Sequence, residues 1–448
     1  MSQPTSFLEK NRLIIKGFLI GTLILLMLIP AALIGNLVNE REARQAQVVA
    51  EVSSKWANAQ TVIGPVLIVP YLYSYKGEND KTITVKKMAH FLPEHLHITG
   101  TVLPEVRKRS LYQVTLYRSD LKLDGDFAPL PLDNLGIEPG SLLLNEARIV
   151  FGIDDARGLE EEVSLHWNDS SQKLEAGMPD NGAIKAGLSA PVTLNPALGN
   201  TFSISLKLRG SENLYFTPVG KTTEVALQSP WPHPAFDGKY LPDTTASVSD
   251  KGFKAHWKVL AVSRTFPQAW TGIPVDLASA SFGVRLIQPA DGYAKTERSV
   301  KYAILFIALT FIVFFFLEIL QKRQVHPLQY LLVGFALCIF YTLLLSISEY
   351  TSFNTAYVVA ALATVSLIGL YVQNIFQNRK TAFGFSIALG GLYSYIFILI
   401  QLEDYALLFG SIGLFLILAV LMYFSRKIDW YGGVRQEEND EPTSNVSD

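Results

Sequence analysis

Four groups of residues have the types and spacing that chemistry would need. His90, His95 and His97 fall in the run His90-Phe-Leu-Pro-Glu94-His95-Leu-His97. On a strand, His95 and His97 share a face, as two ligands of one zinc ion do. No third ligand is identifiable, so solvated or aromatic-packed histidines are the plainer expectation. Asp154-Asp155-Ala-Arg157-Gly158 sets two carboxylates beside a guanidinium. Paired carboxylates bind a cation or activate water, but after the strand-like Arg148–Ile153 a turn closed by an Asp–Arg hydrogen bond is the simpler reading. Trp231-Pro-His233-Pro-Ala-Phe236-Asp237-Gly238 fixes an aromatic and an imidazole between prolines, either as a rigid recognition loop or as a loop closing a sheet. Glu318 is an acidic residue inside an apolar run. Ionisable groups in such runs point to function, although Lys322, four residues on, also makes Glu318 a snorkelling i,i+4 partner.

None of these groups forms a recognisable catalytic set. The sequence has no G-x-S-x-G elbow, H-E-x-x-H helix, Walker A loop or G-x-G-x-x-G in the context each requires. Its single cysteine, Cys338, sits in an apolar run, so no internal disulfide forms and no reactive thiolate is expected. Asp154, Asp155, Arg157, Trp231, His233 and Phe236 are therefore read as a candidate partner or ligand surface. No catalytic residue, metal or cofactor is expected, and a net charge of −2 gives no basic field for nucleic acid.

The elements that must position these residues belong to two physical regimes. Mean hydropathy is +0.24, with apolar residues gathered at the start and in the last third, while six of the seven histidines lie between. A hydrocarbon core of about 30 Å needs roughly 20 apolar residues in a helix. Six stretches qualify: Gly17–Val38, then about Tyr302–Leu320, Pro327–Ser348, Thr355–Phe376, Ala382–Gln401 and Tyr405–Phe424. The first is read as an uncleaved anchor, since its apolar run is long for a signal peptide and no A-x-A site follows. Lys10, Arg12 and Lys16, Lys322 and Arg323, Arg379 and Lys380, and Arg426, Lys427 and Arg435 all fall on one side, whereas 349–354 and 402–404 carry no Lys or Arg. The positive-inside rule then puts both termini in the cytoplasm and the middle region outside it. Scattered Ser346, Ser348, Thr364, Ser366, Ser386 and Ser394 are expected to bond between helices.

The expected organisation is a cytoplasmic segment 1–16, a membrane helix 17–38, an extracytoplasmic domain 39–300, a five-helix bundle 301–424 and a polar, disordered tail 425–448. Asn39–Gln60 reads as an amphipathic helix continuing from the membrane, with Val48, Val52, Trp56 and Ala59 on one face and Gly64-Pro65 as its stop. Beyond it the period becomes 2, in Phe202–Leu208, in Val163, Leu165 and Trp167, and in Phe282, Val284 and Leu286. Tyr112, Val114 and Leu116 share a face, and Leu121 and Leu123 continue out of phase, which predicts a bulge or bend. Turns are predicted at Asp124-Gly125-Asp126, Glu138-Pro-Gly140, Asp180-Asn-Gly182 and Asp291-Gly292. The fold class is α+β: six transmembrane helices (1+5) and a large, mostly antiparallel β domain between the first and second.

The order of parts, together with Lys301–Phe311, His326-Pro-Leu-Gln-Tyr-Leu-Leu-Val-Gly334, Ser229–Phe236, Gly252-Phe-Lys-Ala-His-Trp257, Gly152–Gly158 and Ile428-Asp-Trp-Tyr431, resembles the CreD family of bacterial inner membrane proteins. The resemblance implies a Gram-negative inner membrane protein tied to envelope integrity and stress, associated with colicin tolerance and β-lactam response. It supplies no catalytic residue. A non-enzymatic envelope protein binding a periplasmic partner is the leading expectation. A transporter or flippase-like protein is the alternative, because five helices exceed what an anchor needs, and a hydrolase ranks last.

Overall fold

The computed structural model describes residues 12–77, 80–178, 184, 186–243, 245–272, 274–287, 292–402 and 405–426. Lys10, Asp180-Asn181-Gly182, Asp291, Asp404, the 428–431 segment, Lys427, Arg435 and the acidic tail lie outside them. The chain divides into two compact units, Met1–Arg44 with Ala290–Asp448, and Gln45–Pro289.

Helix α1 runs unbroken from Arg12 to Trp56. Its apolar half buries Ile20, Met27, Ala31 and Val38, spaced seven, four and seven residues apart and hence on one stripe. Its last turns, within the second unit, half-bury Val48, Val52 and Trp56 and bury Ser53 and Ala57. The helix stops before Gly64-Pro65. That pair instead lies inside strand β1 (Gln60–Lys76), joined by a cis peptide. Gly64 has φ +117°, and pairing with the neighbouring strand shifts register between Ile63 and Val66. A glycine at positive φ beside a residue without an N–H makes a bulge in a strand as readily as it ends a helix.

Strands β2 (Thr82–Phe91), β3 (His95–Arg109) and β4 (Tyr112–Phe127) follow, then the one-turn helix α2 (Leu132–Leu135). Next come β5 (Arg148–Ile153), β6 (Ser164–Trp167), β7 (Ser170–Lys173), β8 (Glu175–Ala176) and β9 (Gly187–Pro191). The longer β10 (Asn200–Ser211) leads into β11 (Asn213–Phe216), β12 (Thr222–Ser229), β13 (Pro234–Gly238) and β14 (Ser247–Ser249). The set ends with β15 (Gly252–Leu260), β16 (Ala269–Thr271) and β17 (Phe282–Leu286). One sheet has the order β13-β17-β11-β1-β5-β9-β8, with β2 and β16 paired beside β1; the other runs β14-β15-β12-β3-β4-β10-β6-β7. Pairing is antiparallel except for β1 with β11 and β3 with β12. A single apolar core joins both sheets, from Val62, Leu67 and Phe151 to Leu96, Leu121 and Trp257.

The predicted bulge in β4 is absent: its ladders to β3 and β10 keep one register from end to end. Tyr112, Val114 and Leu116 are buried on the opposite face from Leu121 and Leu123 because the end of α1 covers them. There the Trp56 ring is surrounded by Arg107, Arg118 and Arg209, 4.4–5.4 Å from its centroid, and Arg109 reaches Glu51 at 2.8 Å. Asp124-Gly125-Asp126 is likewise not a turn but part of β4. A side chain at Gly125 would stand 2.2 Å from the His95 carbonyl and 2.6 Å from the Phe202 ring, so the glycine serves close packing.

In the first unit a short amphipathic helix, α3 (Gly292–Lys301), precedes α4 (Ala303–Leu320), α5 (Pro327–Ser348), α6 (Phe353–Phe376), α7 (Arg379–Gln401) and α8 (Ala406–Ser425). With α1, the last five make six helices long and apolar enough to span a bilayer among the described residues. Helix α5 begins where His326 caps it: its imidazole accepts from the Leu328 N–H at 3.2 Å and the Gln329 side chain accepts from the His326 N–H at 3.0 Å, with Pro327 at the first position. The expected interhelical serine bonds do not form at Ser348 and Ser394, which donate to Leu345 and Gly390 of their own helices. Two ion pairs fasten α1 to the bundle, Lys16 with Glu318 and Arg41 with Glu349 at 3.7 Å. The Tyr293 hydroxyl donates to the same Glu349 at 3.2 Å.

Between these pairs α1 meets α5 at Gly334, where an added Cβ would lie 2.7 Å from Met27 Sδ and 3.0 Å from the Phe311 ring. Gly334→Val should therefore destabilise the bundle by about 1–3 kcal/mol. Met27→Ala in the same chain should restore much of the loss. Thermal unfolding of the purified protein checks both, and equal midpoints for wild type and Gly334→Val would contradict this packing.

Candidate functional site

The outward face of the second sheet, away from the shared core, carries a polar trough. Register dictates its floor: Thr99 on β3 stands beside Lys122 on β4 and Ala226 on β12, and Ala226 beside His256 on β15. The next row is Asp120, Thr101, Gln228 and Lys254, with Gln228 donating to the Thr101 hydroxyl at 3.1 Å. Small residues in the middle strands and long ones on the flanks leave a concavity of about 760 Å³. Thr245 stands on one wall, in a loop held by Asp243, which accepts from His256 Nδ1 at 2.7 Å and from the Thr245 hydroxyl. Those two bonds, Thr245 first and then His256, hold the Asp243 carboxyl below its usual range. In the row beyond, the Lys258 ammonium, with His97 and His256 near it, lowers Glu224 in the same way. A floor of hydroxyls and an amide between an anion, Asp120, and a cation, Lys254, can hydrogen-bond a polyhydroxyl or zwitterionic ligand.

Sequence reasoning reached this face only through His95 and His97. They do share a face of β3, but each pairs with its own carboxylate, His95 with Asp126 at 2.9 Å and His97 with Glu224 at 3.2 Å. No group of three or more metal-ligating side chains occurs among the described residues. Thr99, Thr101, Gln228 and Lys254 were missed because no motif marks them. The available signal was Thr99 and Thr101 alternating on the outward side of β3, with Ala226 and Gln228 beside them on β12.

The residues singled out in the sequence do not converge. Asp155 is buried and accepts from Asn58 N–H at 3.0 Å, from Arg157 N–H at 3.1 Å and from the Arg157 guanidinium at 2.7 and 2.9 Å. Arg157 in turn donates to the Ser54 carbonyl at the end of α1, and Gln60 bridges Asp155 and Arg209 backbones. The Arg157 hydrogen bond lowers the Asp155 carboxyl to about 2. This is a clamp between α1 and the sheets, while Asp154 is exposed. Trp231 donates to the His233 and Ile287 carbonyls at 3.1 and 3.0 Å, and Phe236 packs edge-on against Phe253 and Trp257. His233 is exposed. Strands β13 and β5 are separated by β17, β11 and β1, four steps of about 4.8 Å, so the two stretches are roughly 19 Å apart or more.

Glu318 is not a snorkelling partner of Lys322. It is buried, and its oxygens accept from Lys16, from Tyr330 at 2.8 Å and from the Val325 N–H at 3.0 Å, while Lys322 is exposed at φ +49°. The chain turns left-handed at Lys322 as α4 ends, which sends that side chain away. Lys16 fills the place instead and also donates to the Val325 carbonyl at 2.9 Å. A buried carboxylate without its cation is costly. Lys16→Met should lower stability by about 3 kcal/mol, and Lys16→Met with Glu318→Gln should recover most of it, by thermal unfolding. Additive losses in the double variant would show the pair is not coupled.

His90 is buried against Trp270, their rings 4.9 Å apart and 4° from parallel, and neither ring nitrogen has a hydrogen-bond partner among the described residues. Burial lowers its pKa to about 4, opposed weakly by a polar approach to the Trp270 backbone outside hydrogen-bond geometry. The unfolded chain takes up this proton near 6.5 and the folded one only near 4. His90 therefore costs nothing above pH 6.5 and removes up to about 3 kcal/mol as pH falls from 6.5 to 4. His90→Phe keeps the stack and should flatten stability over that window; identical pH profiles for wild type and variant would contradict a neutral buried imidazole.

With the geometry in place, comparison with known proteins supplies the family. Residues 12–431 match the family described as inner membrane protein CreD. The chain is 34% identical over 423 residues to the inner membrane protein CreD of Escherichia coli (strain K12), covering 91% of each chain. A match over nearly the whole length, with six apolar helices and a two-sheet domain between the first and second, makes this multi-pass membrane protein a member of the CreD family.

Proposed function

We propose that the protein contributes to envelope integrity and stress response by binding a polar envelope component in the trough on the second sheet, with the sheet domain outside the cytoplasm and both termini inside. The observation that carries this is the trough itself: hydroxyl and amide groups from Thr99, Thr101 and Gln228 lie between Asp120 and Lys254 on an open, concave face. Neither charge meets an opposite charge within ion-pair distance among the described residues. Such groups stay solvated until a ligand with complementary hydroxyls and charges replaces the water. The basic residues of one set of loops support the orientation. Colicin tolerance and β-lactam response are the phenotypes such binding would serve.

A second reading, movement of a lipid or lipid-linked component by the helices, is favoured by one feature. An apolar cleft of about 360 Å³ lies between α4, α7 and α8, lined by Leu309, Phe385, Gly391 and Leu416 among others. Flux or lipid scrambling in reconstituted vesicles, lost on Gly391→Leu, would favour that reading over the first.

The first reading predicts that Lys254→Ala and Asp120→Ala each weaken binding of soluble cell-wall glycan fragments to the full-length protein roughly tenfold, the loss of one charge-assisted hydrogen bond. The variants should also fail to complement an envelope-stress defect at normal protein levels. Unchanged affinity and full complementation would overturn it. A tag in the Glu138-Pro-Gly140 turn reachable only from the cytosol would overturn the orientation.

A further inference from the structure

The groove between α6 and α7 is a site of a different kind. About 650 Å³ in volume, it opens at the loop joining the two helices, where Arg379 and Lys380 stand at its mouth. Deeper in, Gln373 and then Ser366 and Ser386 line it, beside the outward-facing apolar Leu370 and Phe383. The helices come close here because Gly369 has no side chain: a Cβ there would lie 2.3 Å from Ser386 Oγ.

The side chains of Arg379, Lys380, Gln373, Ser366 and Ser386 have no hydrogen bond or ion pair among the described residues. In water that would be ordinary. On the wall of a membrane bundle it is not for Gln373, Ser366 and Ser386, because hydrocarbon offers them no partner and each unsatisfied group is costly, whereas Arg379 and Lys380 stand at the helix end, at headgroup level. The groups are also graded. Two cations sit at the start of α7, Gln373 stands in the last turn of α6, and Ser386 and Ser366 lie seven residues from Arg379 and Gln373 respectively, about 10 Å along each helix. The apolar Leu370 and Phe383 stand between these two levels. A glycerophospholipid carries groups to match each: an anionic phosphate for the cations, ester-linked glycerol for the amide and hydroxyls, and an alkyl chain for the apolar pair.

We propose that this groove is a binding site for one anionic glycerophospholipid. Arg379 and Lys380 hold the phosphate, Gln373, Ser366 and Ser386 donate to the glycerol ester oxygens, and a chain lies along Leu370 and Phe383. Basic pockets between membrane helices take acidic headgroups for this reason. The site is separate from the trough on the sheets and from the apolar cleft against α8, and it stands whichever function is confirmed.

The full-length protein, purified and reconstituted in nanodiscs of equal parts phosphatidylglycerol and phosphatidylcholine, tests the idea by native mass spectrometry of retained lipid. Wild type should retain phosphatidylglycerol over phosphatidylcholine by roughly tenfold to thirtyfold, the effect of two cations close to an acidic headgroup. Arg379→Gln with Lys380→Gln should bring the ratio close to one. Ser366→Leu, which fills the groove and keeps both cations, should lower the amount of retained lipid. Lys322→Gln with Arg323→Gln removes two exposed cations from the α4–α5 loop and should leave retention unchanged. No preference in wild type, equal loss in the Lys322/Arg323 variant, or complete displacement by inorganic phosphate would each overturn the proposal.

Discussion

Helix α1 has to carry a charged chain out of an apolar solvent without exposing one backbone amide, and much of the structure answers to that. An unbroken helix satisfies its own peptide groups throughout, so no loop is needed at the membrane surface. Lys16 and Arg41 are 25 positions apart, about 38 Å along the axis, and 25 steps of 100° bring them back to nearly the same face. That span approaches the thickness of a bilayer with its headgroups. Each cation meets a carboxylate, the buried Glu318 or the half-buried Glu349, and the stripe between them packs small and flexible residues against α5. Ion pairs of this type add little net stability but forbid a helix from slipping by a turn, because a slip would leave charges unpaired.

The same helix shapes the sheets. Its last turns cover one end of the second sheet, which explains why the apolar side of β4 is the Tyr112, Val114 and Leu116 face there and the Leu121 and Leu123 face further along. Trp56 lies among three arginines, and Asp155 draws Arg157 and Asn58 into a clamp. The far part of that sheet face is left uncovered, and small side chains at its centre turn it into the trough. One face is thus used twice, for packing at one end and for solvent at the other.

Polar groups sort by how they are satisfied. Asp155 and Glu318 are buried and fully bonded, and they serve structure. His90 is buried and unbonded, held neutral beside Trp270. The charges of the trough and the α6–α7 groove are accessible and partly unbonded, which is what a ligand requires. Of the residues most conspicuous in the sequence, Asp155 falls into the first class, whereas Asp154 and His233 are exposed and Trp231 is half-buried.

The membrane helices could be read from the sequence because hydrocarbon demands some 20 apolar residues in a row, a requirement local enough to count. The strands at Phe202–Leu208 and Phe282–Leu286 were legible for a similar reason, since alternation follows directly from one buried face. Gly64-Pro65 and Asp124-Gly125-Asp126 misled because a glycine's role depends on what approaches it. The His95 carbonyl and Phe202, distant in sequence, made one of them a packing site rather than a turn. Lys322 was the natural partner for Glu318 by spacing, yet a left-handed residue at the helix end and a lysine 302 positions away decided otherwise. The trough and the lipid groove were invisible for the same reason. Each is assembled from separate strands or helices, and only tertiary packing sets which small and charged residues stand side by side.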